Sequence, residues 1–275
     1  MTEVRSQFDF SAQIADYGVS FGLSDVDIID ELWGACKGAG YRPCIVDLKG
    51  ADIAAAKTFR DSLALATDNP EVQAKAWCFY NEGTGVYNNR RQKIGIGGWY
   101  AGKLVSRNLG NKAGDIENRV PYTVTGTGHR CPIVSPDGYT IYTKAEKNQI
   151  TKDRINYVEI INGQAYVSDF LTTNPKETYL KQIGIVDGLS FIELWIAFKL
   201  EARKGENLNK AQSDVDNEMQ AQLKNIIGQQ YCQDGTDFVY QITQYNNEGL
   251  KVDFEYYPTG HARINKVQGT VRRAL

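Results

Sequence analysis

Apolar positions in the first part of the chain alternate between helical spacing and short continuous runs. Val26, Ile29, Leu32, Trp33 and Cys36 recur at helical spacing. Ser24 precedes them as an N-cap, Asp27 stands at the capping-box position, and Gly38 and Gly40 mark the exit, so a helix is expected there. Cys44, Ile45 and Val46 then form an unbroken apolar run of the kind found in parallel strands covered on both faces. Ile53, Ala56, Phe59, Leu63 and Ala66 make a second helical stripe, residues 76–80 (AWCFY) a second buried strand, and a third helix begins around Gly98. Strand and helix in alternation predict βαβ units with right-handed crossovers, and hence a parallel sheet.

Periodicity fades over residues 108–138, where glycine, proline and threonine dominate, and a domain boundary is placed near Val120. Residues 1–120 are expected to form an α/β domain and residues 121–275 a mixed α+β domain. In the second, residues 157–161 and 165–171 read as a hairpin about Asn162-Gly163, the residue types that a two-residue type I′ turn needs. A long apolar helix follows. Its Phe191, Ile192, Leu194, Trp195, Ile196, Phe198 and Leu200 cover nearly the whole circumference, which fits an element sandwiched between a sheet and another layer. Val215, Met219, Leu223, Ile226 and Ile227 lie on one face of a further helix, with Asp216, Gln220 and Lys224 on the solvent side. Residues 238–245 and 250–257 read as a second hairpin, and residues 264–271 as a last strand.

A length of 275 residues allows one large or two ordinary domains. The formal net charge of -2 leaves no excess of cations to neutralise phosphates, which excludes nucleic-acid binding as a main activity. Arg90-Arg91-Gln92-Lys93, Arg203-Lys204 and Arg272-Arg273 are read as surface or protein-contact charges. The N-terminal residues have no apolar core of signal-peptide length, and no stretch approaches the ~20 apolar residues of a membrane span. A soluble protein made in the cytosol is expected. The five cysteines are odd in number, widely spaced and without C-x-x-C, so a metal ribbon or redox motif has no support. Cys44 and Cys78 sit in apolar runs as small hydrophobes. Cys131 and Cys232, in turn-like contexts, are the candidates for cross-links between neighbouring chains.

Parallel sheets often bind nucleotides, so the glycines need examination. Gly95-Ile96-Gly97-Gly98 does not continue as G-x-G-x-x-G after a strand, and no G-x-x-x-x-G-K-S/T is present. Close backbone packing or a helix entry is the simpler reading. Gly83-Thr84-Gly85 follows a buried strand, where ligands bind in such sheets, but no helix pattern opens behind it, and it reads as a surface loop. His129 and Cys131 lack the further ligands of a zinc site, and His261 is the only other histidine. No serine stands in a G-x-S-x-G turn. No catalytic, cofactor-binding or metal-ligating residue is therefore assigned.

One ordered series of segments resembles a known family. NQITKDRINYVEIINGQAYVSDFLTTNP (from Asn148), with the helix after it, resembles the C-terminal half of phage contractile tail sheath proteins. DIIDELWGACKGAGYRPCIVDLKGADIAAAKTFRDSLALA and GGWYAGKLVSRNLG are similar to the α/β domain of that family, and SDVDNEMQAQLKNIIGQQYCQDGTDFVYQI and EYYPTGHARINKVQGTVRRAL to its closing segments. Only residues 1–17 precede the first helical pattern, whereas the family usually carries an N-terminal arm and further domains. The resemblance implies a structural protein, not an enzyme, that stacks with itself as rings, likewise hexameric, into a helical sleeve around an inner tail tube protein. Baseplate and tail-terminator proteins are the further implied partners, with no nucleic acid and no membrane, and the virion tail is the implied location. The family's C-terminal strand links neighbouring subunits. Here the matching residues are Ala262, Ile264, Lys266, Gln268 and Thr270, alternating with Arg263, Asn265, Val267, Gly269 and Val271. Neither set is fully apolar, which suits an edge or exchanged strand. Two other readings stay open: an α/β enzyme with a nucleotide or sugar-phosphate site above the sheet, and another tail or baseplate component.

Overall fold

The computed structural model describes residues 17–20, 22–23, 25–38, 42–80, 82–87, 90–106, 133–136, 142–161, 164–167, 170–223, 238–245 and 249–256. The expected parallel sheet is present, with β1 (Gly18–Val19), β2 (Cys44–Leu48) and β3 (Ala76–Tyr80) in the order β1-β2-β3. Every residue of β2 and β3 is buried. Cys44, Val46, Leu48 and Cys78 face one layer, built by Ile29, Leu32, Trp33 and Cys36 of α1 (Val26–Gly38) and Ala56 of α2 (Ile53–Ser62). Ile45, Trp77 and Phe79 face the other. Both faces are apolar because both are covered, so the strands read as continuous runs.

Two local expectations are corrected. The cap of α1 is Asp25, not Ser24: its Oδ1 accepts from the amides of Asp27 (3.0 Å) and Ile28 (3.3 Å). A carboxylate also suits the positive end of a helix better than a hydroxyl. Ser24 and Gly40 lie outside the described residues. The second apolar stripe is not one helix, because α2 stops at Ser62 and Leu63 turns extended (φ -79°, ψ 147°). Leu63 and Leu65 still reach the core, the latter from a 3-10 turn, Ala64–Thr67. The short α3 (Pro70–Gln73) then leads into β3, capped by Asn69 through the Val72 amide at 3.0 Å.

A second sheet follows, in the order β5-β4-β6, from β4 (Glu82–Tyr87), β5 (Arg90–Gly95) and β6 (Ile133–Pro136). Gly83-Thr84-Gly85 therefore lies in a central strand rather than in a surface loop. The β4–β6 register shifts between Thr84 and Gly85, and glycine admits such irregularity without a side chain to displace. From β5 the chain enters α4 (Ile96–Ser106), the expected third helix.

Beyond it come α5 (Lys144–Lys152), the antiparallel pair β7 (Val158–Ile161) and β8 (Gln164–Val167), α6 (Ile183–Ala202), α7 (Leu208–Glu218), and the antiparallel pair β9 (Phe238–Tyr245) and β10 (Gly249–Tyr256). The partner strand of β7 is shorter than expected. It ends at Val167, and Leu171 instead makes a separate bridge to Gln182. After α7 the backbone continues as a π turn, Met219–Leu223, and Lys224, Ile226 and Ile227 lie outside the described residues. Val158, Ala165 and Val167 join Tyr100, Ala101 and Leu104 of α4 on the second face of the parallel sheet, together with Ile183 and Val186 of α6. Further along α6, Ile192, Leu194, Trp195 and Ile196 enter a third core with Val215 and Met219, against which Tyr240, Ile242, Leu250, Val252 and Phe254 of the β9–β10 pair pack. One long helix is thus shared by two cores, which is why apolar residues stand on more than one of its faces, although Phe198, expected to be covered, is 40% exposed.

Candidate assembly surfaces

The segment around Asn148, whose spacing carries the resemblance, is a joint. Ile150, Ile155 and Tyr157 are buried with the first core, and Asn156 is fully buried. Asn156 extends the parallel sheet by one residue. Its amide donates to the Cys78 carbonyl (3.1 Å), and its own carbonyl accepts from Tyr80 (2.7 Å). Its side chain does for the next segment what a further strand would do, since Oδ1 accepts from the Leu171 amide (2.7 Å) and Nδ2 donates to the Leu171 carbonyl (2.8 Å). Thr173 adds two more links, from its amide to the Ala76 carbonyl (2.9 Å) and from Oγ1 to that of Gln73 (2.7 Å). A buried carboxamide and hydroxyl need partners, and these residue types supply them at fixed places. The motif is structural: it fastens the second half of the chain to the edge of β3.

At the carboxyl end of β2, where open α/β sheets place ligands, the chain supplies its own anion. Asp47 is buried. Its Oδ1 accepts from the Gly97 amide at 2.7 Å, in the first turn of α4, and its Oδ2 from the Gly22 amide at 3.0 Å. A Cβ on Gly95 would lie 2.9 Å from Asp47 Oδ2, and one on Gly97 would lie 2.7 Å from Oδ1. The Gly95–Gly98 segment is therefore a helix entry with close backbone approach. An internal carboxylate occupies the positive helix end that a phosphate would seek.

The β9–β10 pair presents a different kind of surface. Eight residue pairs run from Tyr245–Gly249 to Phe238–Tyr256. Along it Tyr240, Ile242, Val252 and Phe254 point to the third core, while Val239, Gln241, Lys251, Asp253 and Glu255 are exposed. Tyr240 fastens the pair to α7, donating from Oη to Asp216 Oδ1 at 2.9 Å. Burial, then that carboxylate, pushes its phenol up to about 12. Asp216, expected on a solvent face, is instead part of this contact. Among the described residues the sheet has two strands only, so each strand has an outer edge. The Ile242 carbonyl of β9 accepts from Gln212 Nε2 of α7 at 3.1 Å.

The predicted linking strand, Ala262, Arg263, Ile264, Asn265, Lys266, Val267, Gln268, Gly269, Thr270 and Val271, lies outside the described residues, as do Cys131, Cys232, His129 and His261. The described cysteines, Cys36, Cys44 and Cys78, are all buried. Burial pushes the Cys78 thiol up to about 12, and a contact with Cys36, then burial, raises that of Cys44. Both behave as small hydrophobes, as expected. Among the described residues no cluster of three or more His, Cys, Asp or Glu is placed to hold a metal ion, and no helix is long and apolar enough to cross a membrane.

No family model matches the sequence, and no curated protein does. Solved structures do. A chain of the anti-feeding prophage baseplate superposes with a TM-score of 0.63 at 11% identity, covering 98% of this chain and 73% of the other. A chain of the same particle's helical sheath in its contracted state gives 0.61 at 11%, over 97% and 73%. The contracted sheath complex PVC, of an extracellular contractile injection system, gives 0.62 at 13%, over 97% and 74%. The chain has a contractile-sheath fold. In this sheath fold the joint at Asn156 and the shared helix α6 connect the parallel sheet to the β9–β10 pair, and at such low identity the likeness resides in that architecture rather than in surface residues.

Proposed function

We propose that the protein is the structural subunit of a contractile sheath, polymerising with itself as a helical stack of rings around an inner tube and shortening to drive that tube through an envelope. The observation that carries this reading is the superposition on contracted sheaths over 97% of the chain. A heterologous contact whose rotation does not close generates a helix of subunits. Contraction needs no catalytic residue, being relaxation from a trapped arrangement to a more stable one. The division of the chain near residue 120 is then one of role: residues 1–120 give the body and residues 121–275 the assembly region, although the second core draws on both. Besides the tube, the partners are a baseplate, in keeping with the baseplate neighbour, and a terminator. The particle is a phage tail or a related injection device assembled in the cytosol.

Residues 262–271 are the proposed link between subunits, adding as a strand to the outer edge of a neighbour's β9–β10 pair. Deleting residues 262–275 is expected to abolish rings and sleeves in negative-stain micrographs while leaving a folded monomer with nearly unchanged far-UV circular dichroism. Sleeves from the truncated chain would show that the link runs elsewhere. Unfolding would show that the strand belongs to its own core.

A further inference from the structure

A cleft of about 220 Å³ opens between α2, the end of α5 and the segment after β8, and Arg60, Lys152 and Arg154 share its wall with Asp61 and Asp153. That space admits one small solute with part of its hydration. The carboxylates of the wall are already engaged. Asp61 holds Arg60 at 2.5 Å and Lys57 at 2.7 Å, and those contacts outweigh its burial to keep its carboxyl below the usual range. Asp153 accepts from Gln149 Nε2 at 3.2 Å.

The cations are less completely matched. Arg154 is 4% exposed and sits in the left-handed region at φ 57°, a conformation that a non-glycine residue keeps only when its surroundings enforce it. Its Nε donates to the Asn174 carbonyl at 3.0 Å, and its Nη2 pairs with Glu177, a side chain that is itself 69% exposed and shared with Lys181. Arg154 Nη1 and the Lys152 ammonium make no hydrogen bond among the described residues. Arg60 is engaged at all three nitrogens, Nε and Nη2 with Asp61 Oδ1 and Nη1 with the Asp153 carbonyl, so the spare donors of this concave wall are those of Arg154 and Lys152. Two such cations suit a tetrahedral oxyanion, which accepts several charge-assisted hydrogen bonds at once.

We propose that this cleft binds a small phosphate-class dianion, with Lys152 and Arg154 as its principal donors and Arg60 as the opposing charge. Bound there, the anion ties α2, α5 and the Thr173–Pro175 segment together. The site lies within one chain and does not depend on the sheath reading. It is tested on the full-length unassembled protein by following melting in inorganic phosphate against chloride at matched ionic strength, with isothermal titration of phosphate as the direct measurement. Phosphate at 100 times its Kd shifts the folding equilibrium constant about 100-fold, so a clear rise in Tm is expected for the parent. Lys152→Glu, a change at an exposed side chain, should weaken phosphate at least about tenfold, the loss of one charged hydrogen bond. Equal melting in phosphate and chloride, or a Lys152→Glu protein that still binds phosphate as the parent does, overturns the proposal.

Discussion

Gly97 donates its amide to a carboxylate that leaves no room for a side chain. A Cβ there would stand 2.7 Å from Asp47 Oδ1 and 3.0 Å from Ile45 Cγ2, and Asp47 is pinned by the Gly22 and Gly97 amides. Gly97→Ala is expected to cost about 1–3 kcal/mol as overpacking, read from urea unfolding. The same change made in an Asp47→Ala background should cost less, because the obstructing group is gone, and additive losses in that double-mutant cycle would contradict the account. Glu177 offers a second test at this scale. Lys181, then Arg154, holds its carboxyl down from 4.5 to about 2. Its folded value is the depressed one, so the stability it contributes is present above about 4.5 and is lost as pH falls through about 2. Solvent screening keeps that contribution small, because the side chain is 69% exposed. An NMR titration of Glu177 should give a midpoint below the ordinary glutamate value, rising toward it in Lys181→Ala. A midpoint unchanged by that substitution would assign the shift elsewhere.

Trp195, on α6, is fully buried in the third core, and its indole N–H has no hydrogen-bond partner among the described residues. Trp195→Ala should therefore cost about 3–5 kcal/mol in chemical unfolding. Trp195→Phe should cost far less, since most of the packing stays and the unpaired N–H goes. Equal losses would show that packing is not what the tryptophan supplies. This helix was legible from the sequence because its apolar residues surround it, and β2, β3 and the β9–β10 pair were legible from apolar runs and alternation. Helix α5 was not recognised, although Thr143 and Glu146 spell a capping box that the structure forms, with Glu146 Oε2 accepting from the Thr143 amide at 2.6 Å. Only Ile150 of that helix is buried, so no apolar stripe announced it. The β4–β5 pair, EGTGVY and RRQKIG, lacks apolar alternation as well. Its pairing with β6 is a long-range choice that no local pattern carries. The carboxylate at the end of β2 was invisible for a related reason: a lone aspartate in an apolar run gives no sign of the two amides that it will meet.

The three cores are unequal in their connections. The first two lie on opposite faces of the same strands and should open together. The third reaches them through α6 and includes none of the residues of β2 or β3. Native-state hydrogen exchange is expected to resolve two cooperative units, with amides of α7, β9 and β10 exchanging through a smaller opening than those of β2 and β3. A single isotherm for all of them would make the molecule one unit. Meanwhile α6 itself spans 20 residues, a rod of about 30 Å. Near its middle, Lys75 at the foot of β3 grips it, with Nζ 2.9 Å from Ser190 Oγ and 2.6 Å from Glu193 Oε2. A stiff rod held part-way along is a lever with a fulcrum. A turn of about 10° about that mid-point of a 30 Å helix carries each end about 2.6 Å in opposite directions, so torque applied at the β9–β10 pair arrives at the parallel sheet as displacement instead of being absorbed in a flexible hinge.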